Sequence, residues 1–145
     1  MTLHTATTPD GGAELTIRLT SAEVTAIGLT EAEGLAEYLD TALWGLAVLR
    51  TGRTVRTEDQ REVTAADLHD VIRDLDAHLA PMVGGILDAA IRRHRDLGGS
   101  TGQLAAALNA PRSSAQRRRE ALDSSGPRRA QAAHWERWVA TPHEH

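Results

Sequence analysis

Apolar residues fall in two different rhythms along this chain. In ELTIRLT (14–20), Leu15, Ile17 and Leu19 alternate with Thr16 and Arg18, the period of a short strand with one covered face. The stretch LTEAEGLAEYLDTALWGLAVLR (29–50) changes to helical spacing, with Leu35, Leu39, Leu43, Leu46 and Leu49 as an apolar stripe and Thr30 and Glu33 as a capping box. Thr64 and Asp67 mark the next helix start, which Leu68, Val71, Ile72, Leu75 and Leu79 carry to a break at Pro81. A further helix is expected from Met82 to about Asp96, ending in Gly98–Gly99, with Val83, Ile86, Leu87 and Ile91 facing a helical core. Between these, TGRTVRTEDQREVT (51–64) reads as a hairpin of Thr54–Arg56 and Arg61–Val63, to which the N-terminal strand can add. Residues 1–13 are polar and contain Pro9 and Gly11–Gly12, so they read as a flexible lead-in.

The C-terminal third changes character. Ser100 and Gln103 are spaced as a capping box, and Leu104, Ala105 and Leu108 follow at helical spacing. Asn109–Ala110–Pro111 interrupts that helix: asparagine tolerates a left-handed conformation, and proline suits the first turn of a new helix. The new helix carries Arg112, Ser113, Ser114, Gln116, Arg117, Arg118 and Arg119, with Ala115 as a small inward residue that permits close helix crossing and Leu122 continuing its packed side. A Ser–Ser–Gly–Pro turn (124–127) then leads to a last helix, roughly Arg128 to Ala140. Two short helices joined by a few residues, the second basic and polar, form a helix-turn-helix. The fold class that follows is mainly α: a helical bundle with a C-terminal helix-turn-helix and a small N-terminal β element.

Composition bounds what this fold can do. A chain of 145 residues fits one domain, or a compact core with a small appended module. Its only aromatics are Tyr38, Trp44, Trp135 and Trp138, so the core must be mostly aliphatic. The absence of cysteine excludes disulfides and thiolate chemistry. No basic n-region precedes an apolar h-region and no apolar run reaches spanning length, so a cytoplasmic location without membrane contact is the expectation. Charge is divided along the chain: residues 1–90 hold 15 acids against 6 arginines, and residues 91–145 hold 10 arginines against 5 acids. The mild overall charge of −4 conceals that division, and an acidic chain can still bind nucleic acid if its basic groups share one face.

The chemistry of the basic segment fits a DNA reader. Arginine and glutamine make bidentate contacts with guanine and adenine edges in the major groove, and serine hydroxyls reach bases or phosphates. Four arginines with no acid between Arg112 and Arg119 would be costly to bury. Arg92, Arg93, His94 and Arg95 just upstream are placed to grip the phosphate backbone, and Ser100, Thr101, Ser114, Arg118 and Arg119 complete the candidate backbone-contacting set.

The run GQLAAALNAPRSSAQRR resembles the helix-turn-helix core of many bacterial transcription regulators. Leu104–Ala105 and Leu108 match the first helix of that pattern, and Ser113–Ser114–Ala115 matches the recognition helix. Asn109 stands where the pattern usually has glycine, and Ala110 where it has a bulkier apolar residue. The resemblance covers about 22 residues and singles out no one family. It implies base-facing positions at Arg112, Ser113, Gln116 and Arg117, and a homodimer on a palindromic double-stranded DNA site. The expected organisation is therefore an acidic dimerisation or effector region (14–90), a basic DNA-binding region with the last helix (91–140), and a flexible tail (141–145).

Other readings stay beside this one. A plainer reading makes the two helices ordinary solvent-covered elements of a helical bundle, and a protein–protein adaptor would use the tryptophan-bearing last helix, where Trp135 and Trp138 share a face. That face packs either on the main body or on a second subunit; Trp44 reads as core. Asp70, Asp74 and His78 recur at helical spacing and read as an acidic solvated surface rather than a metal site, and PHEH (142–145) lies on the tail. There is no HExxH motif, no phosphate-cradling glycine loop ending in Lys-Ser/Thr and no GxSxG elbow, so no enzyme, metal or cofactor is expected.

Overall fold

The computed structural model describes residues 2–56, 58, 60–124 and 127–141. They form a mainly helical protein with a small N-terminal two-stranded sheet. The chain divides into two compact units, Met1–Glu37 and Tyr38–Thr141, with the boundary inside one helix. The end of the chain read as a flexible tail lies, from residue 142 on, outside the described residues.

In the first unit β1 (Thr2–Thr7) pairs antiparallel with β2 (Ala13–Arg18), with Leu3 opposite Ile17 and Thr5 opposite Leu15. The strand read in residues 14–20 is present, but the stretch read as a flexible lead-in holds its partner. A lone strand cannot satisfy its own amides, so β2 requires a neighbour. Gly11, at φ +85°, and the Thr8–Asp10–Gly12 turn fold the chain back to supply it. Helix α1 (Ser21–Ile27), not anticipated, starts at a capping box in which the Glu23 amide donates to Thr20 Oγ1 at 3.2 Å and the Thr20 amide to the Glu23 carboxylate at 2.8 Å. It ends at Gly28, and α2 (Leu29–Thr51) follows at once, so Thr30 lies inside the helix instead of capping it.

In the second unit the later half of α2 runs antiparallel to the next helical stretch. Gly45 backs onto Val71, the Thr41 hydroxyl donates to Asp74 Oδ2 at 3.4 Å, and Tyr38 stacks on His78 with ring centroids 5.0 Å apart. A Cβ on residue 45 would lie 2.6 Å from Val71 Cγ1, which is why glycine stands there. The loop between these helices closes with one β-bridge, Arg53 to Glu62, in place of the hairpin expected over 54–63; the N-terminal strand pairs with β1 instead.

α3 (Ala65–Arg73) passes directly into a π-helical turn (Asp74–Leu79) and then into α4 (Ala80–Asp96). The break expected at Pro81 does not occur. Proline lacks an amide and crowds the carbonyl one turn back, and the wider π turn immediately before it relieves both conflicts without ending the helix. Asp70, Asp74 and His78 are taken up by Arg73, Thr41 and Tyr38, and among the described residues no group of three or more His, Cys, Asp or Glu is arranged to hold a metal. No helix of the described residues is long and apolar enough to cross a membrane.

The start of α3 follows the sequence. The Asp67 carboxylate accepts from the Thr64 amide and hydroxyl and takes a two-pronged pair from Arg61. Arg61 first, then Thr64, hold this carboxyl well below its ordinary 3.8. Since the folded value lies below the unfolded one, this contact stabilises the fold above pH 3.8 and is lost only as the pH falls further. In a carboxyl-carbon NMR titration Asp67 should stay ionised when most carboxylates have protonated, and Asp67→Asn should remove that part of the acid dependence of stability.

Candidate nucleic-acid interface

The basic end of the chain is built on α4. Gly98, at φ +84°, turns the chain out of α4, and its amide and that of Gly99 return to the carbonyls of Arg95 and His94 at 2.9 and 2.8 Å. Ser100 then caps α5 (Thr101–Ala107): the Gln103 amide donates to Ser100 Oγ at 3.1 Å and the Ser100 amide to Gln103 Oε1 at 2.8 Å. The helix stops where Asn109 adopts φ +47°, and the Ala110 amide returns to the Ala105 carbonyl. Pro111 is the N-cap of α6 (Arg112–Ala121), its carbonyl accepting from the Ser114 and Ala115 amides.

Ile91, Leu104, Ala105, Ala115 and Leu122 form the core that joins α4, α5 and α6, with Leu108 packed against it. Ala115 is fully buried, as expected of a small residue at a close crossing. At about 100° per residue, Ala115, Arg118 and Leu122 fall on one side of α6, and Arg112, Ser113, Gln116 and Arg117 on the other. All four of the latter are exposed. Arg112 and Arg117 make no ion pair among the described residues. Gln116 is held in place: its amide donates to Glu120 Oε1 at 2.8 Å, and its carbonyl accepts from the Thr101 hydroxyl at 3.4 Å. Thr101 in turn accepts from Arg119 Nη1 at 3.0 Å.

The remaining candidates divide. Arg93 and Ser100 are exposed; Arg95, Thr101, Ser114 and Arg119 are half-buried, and Arg95 is 3.7 Å from the adjacent Asp96. Arg92 and Arg118, expected to grip phosphate, have partners within the protein. Arg118 Nη2 donates to Asp88 Oδ1 at 2.9 Å, on an aspartate only 5% exposed. Arg92 binds Glu136 on α7 (Pro127–Ala140), Asp123 Oδ1 at 3.1 Å and the Leu122 carbonyl at 2.7 Å, and Glu136 foremost holds its guanidinium charged. These two arginines fix α6 and α7 on α4.

Three acids of this region were missed by the sequence reading. Asp88 and Glu136 meet arginines 30 and 44 residues away in sequence, so no local spacing marks them. Glu120 could have been found: it follows the arginine run by one residue and falls on the exposed side of α6.

α7 is seated on α4 of the same chain, around Gly85, and Trp135 and Trp138 are half-buried with their rings edge to face, centroids 5.7 Å apart. Compared with protein-family models, curated proteins and solved structures, the chain matches none.

Proposed function

We propose that this chain binds double-stranded DNA sequence-specifically, as a homodimeric transcriptional regulator in which α5, the Asn109 turn and α6 act as a helix-turn-helix. The observation that carries this reading is the division of α6: Arg112, Ser113, Gln116 and Arg117 are presented on one side, while Ala115, Leu122 and the Arg118–Asp88 pair hold the other. A helix anchored on one side and carrying arginine and glutamine on the other is what a major-groove reader needs.

In this reading Arg112 and Arg117 address guanine edges and Gln116 an adenine, with Ser113 at the helix start. Glu120 orients the Gln116 amide before binding and is placed to accept from a cytosine amino group. Arg93, Arg95 and Arg119, with Ser100, Thr101 and Ser114, approach the phosphates; Arg92 and Arg118 keep the reader in place. No chemistry is performed: regulation follows from occupying a site against polymerase or recruiting it. The seating of α7 on α4 favours this reading over an adaptor that docks through its tryptophans.

The test is binding to duplex DNA from upstream of the protein's own gene, by footprinting and by affinity at several salt concentrations. Three phosphate-facing arginines per copy, six per dimer, predict roughly a thousandfold loss of affinity between about 50 and 200 mM salt. No salt-dependent binding to that DNA would remove the reading.

A further inference from the structure

Four side chains of the candidate interface form one run of hydrogen bonds that crosses from α6 to α5 and back. Arg119 Nη1 donates to the Thr101 hydroxyl at 3.0 Å, and that hydroxyl donates to Gln116 Oε1 at 3.4 Å. The Gln116 amide nitrogen then donates to Glu120 Oε1 at 2.8 Å. Arg119, Gln116 and Glu120 stand on α6, whereas Thr101 is the first residue of α5. Its place is set by the backbone: the Ser100–Gln103 cap fixes the start of α5, and Ala105 and Ala115 bring the two helices into one core. Gln116 and Glu120 are exposed, so a base edge can reach the amide.

The chemistry of the two ends gives this run a single direction. A guanidinium can only donate and a carboxylate can only accept. Arg119 therefore occupies a lone pair of the Thr101 oxygen, and the one hydroxyl proton is left to point at Gln116. Glu120 in turn requires the NH2 side of the amide. Turning the amide over would set oxygen against carboxylate at one end and N–H against O–H at the other. Two hydrogen bonds hold its orientation; with only one, it pivots.

Each end of the held amide keeps one unused group, a second lone pair on Oε1 and a second proton on Nε2. An adenine edge needs both, its N6 amino group donating to the oxygen and its N7 accepting from the nitrogen. Guanine presents acceptors at both places, so the held oxygen would face guanine O6 oxygen to oxygen. An unheld glutamine escapes that repulsion by turning its NH2 group toward the guanine; a held one does not. The misfit with the wrong base thus adds to specificity beside the fit with the right one.

We infer that Thr101 is a positioning residue for base readout: its hydroxyl, backed by Arg119, holds the Gln116 amide in the orientation that accepts adenine and rejects guanine. This rests on the DNA reading and assigns the Thr101 hydroxyl to the reader; Arg119 has further N–H groups for the phosphates.

The test uses the full chain and its upstream duplex. The base pair at which Gln116→Ala loses discrimination is the one Gln116 reads, and the wild type should prefer adenine there. Thr101→Val, which keeps the shape of the side chain without its hydroxyl, should lower the preference for adenine over guanine at that pair by about fivefold, the contribution of one neutral hydrogen bond. Its melting temperature, its affinity for scrambled duplex and its salt slope should stay close to the wild type. Thr101→Ser should restore the preference. Without DNA, 15N relaxation of the Gln116 side-chain amide should show it restricted in the wild type and in Thr101→Ser, and more mobile in Thr101→Val. Specific binding with an unchanged adenine preference in Thr101→Val, equal losses on target and scrambled duplex, or an amide whose mobility does not change overturns the inference and leaves the DNA reading standing. A wild type that binds no duplex removes the DNA reading, and the inference with it.

Discussion

A chain carrying Arg112→Ala, Gln116→Ala and Arg117→Ala together is expected to lose specific duplex binding and keep its fold. Each good bidentate base contact discriminates by about 1–3 kcal/mol, so three together should lower specific affinity by roughly a thousandfold or more. The folded state gives up little, because all three side chains are exposed and only Gln116 has hydrogen-bond partners, Glu120 and Thr101, at the surface. Residual binding should stay salt-dependent, since Arg93, Arg95 and Arg119 are untouched. Arg93→Ala gives the opposite signature: weaker binding to every sequence alike, with a shallower salt slope. Competitive titration of target and scrambled duplexes separates the two. A triple variant that keeps its sequence preference would show that α6 is not the reader.

Gly85→Leu is expected to unseat α7. A Cβ at residue 85 would lie 2.4 Å from Trp135 Cβ, 2.5 Å from the Ala132 carbonyl oxygen and 2.8 Å from the Glu136 amide nitrogen. Two of these are backbone atoms, so no change of rotamer makes room, and α7 itself must move. That movement also pulls Glu136, 7% exposed, away from Arg92. Overpacking of this kind costs about 3 kcal/mol, a fall of roughly 10 °C in Tm for a chain of this size. Trp135 and Trp138 should report it as a red-shifted emission. Gly84→Ala is the control: its added Cβ would meet only Ala132 Cβ, at 3.8 Å, an ordinary contact, and it should melt at or above the wild-type temperature. Equal melting of Gly85→Leu and wild type would contradict the α4–α7 packing.

What the sequence discloses here is what neighbours within a few residues decide. The Ser100–Gln103 cap, the Thr64–Asp67 start, the left-handed Asn109 and the buried Ala115 each depend on contacts along one or two turns, and each is present. β1 was illegible because TLHTAT has only Leu3 as a large apolar residue, and its strand exists by pairing with β2. Pro81 reads as a stop in any sequence, and only the preceding π turn lets the helix continue. In the candidate interface, composition cannot separate an arginine that faces solvent from one that holds two helices together. Arg117 and Arg118 are adjacent and look alike on paper, but a step of about 100° sends one outward and the other to Asp88.

The uninterrupted passage from Ala65 to Asp96 has a mechanical consequence. This helical run, about 48 Å long at α-helical rise, includes both Val71, against which α2 lies, and Ile91, on which α5 and α6 are built. The π turn and Pro81 lie midway along it, and both are features at which helices bend. A change of bend at this point would alter where α5 and α6 stand relative to the later half of α2.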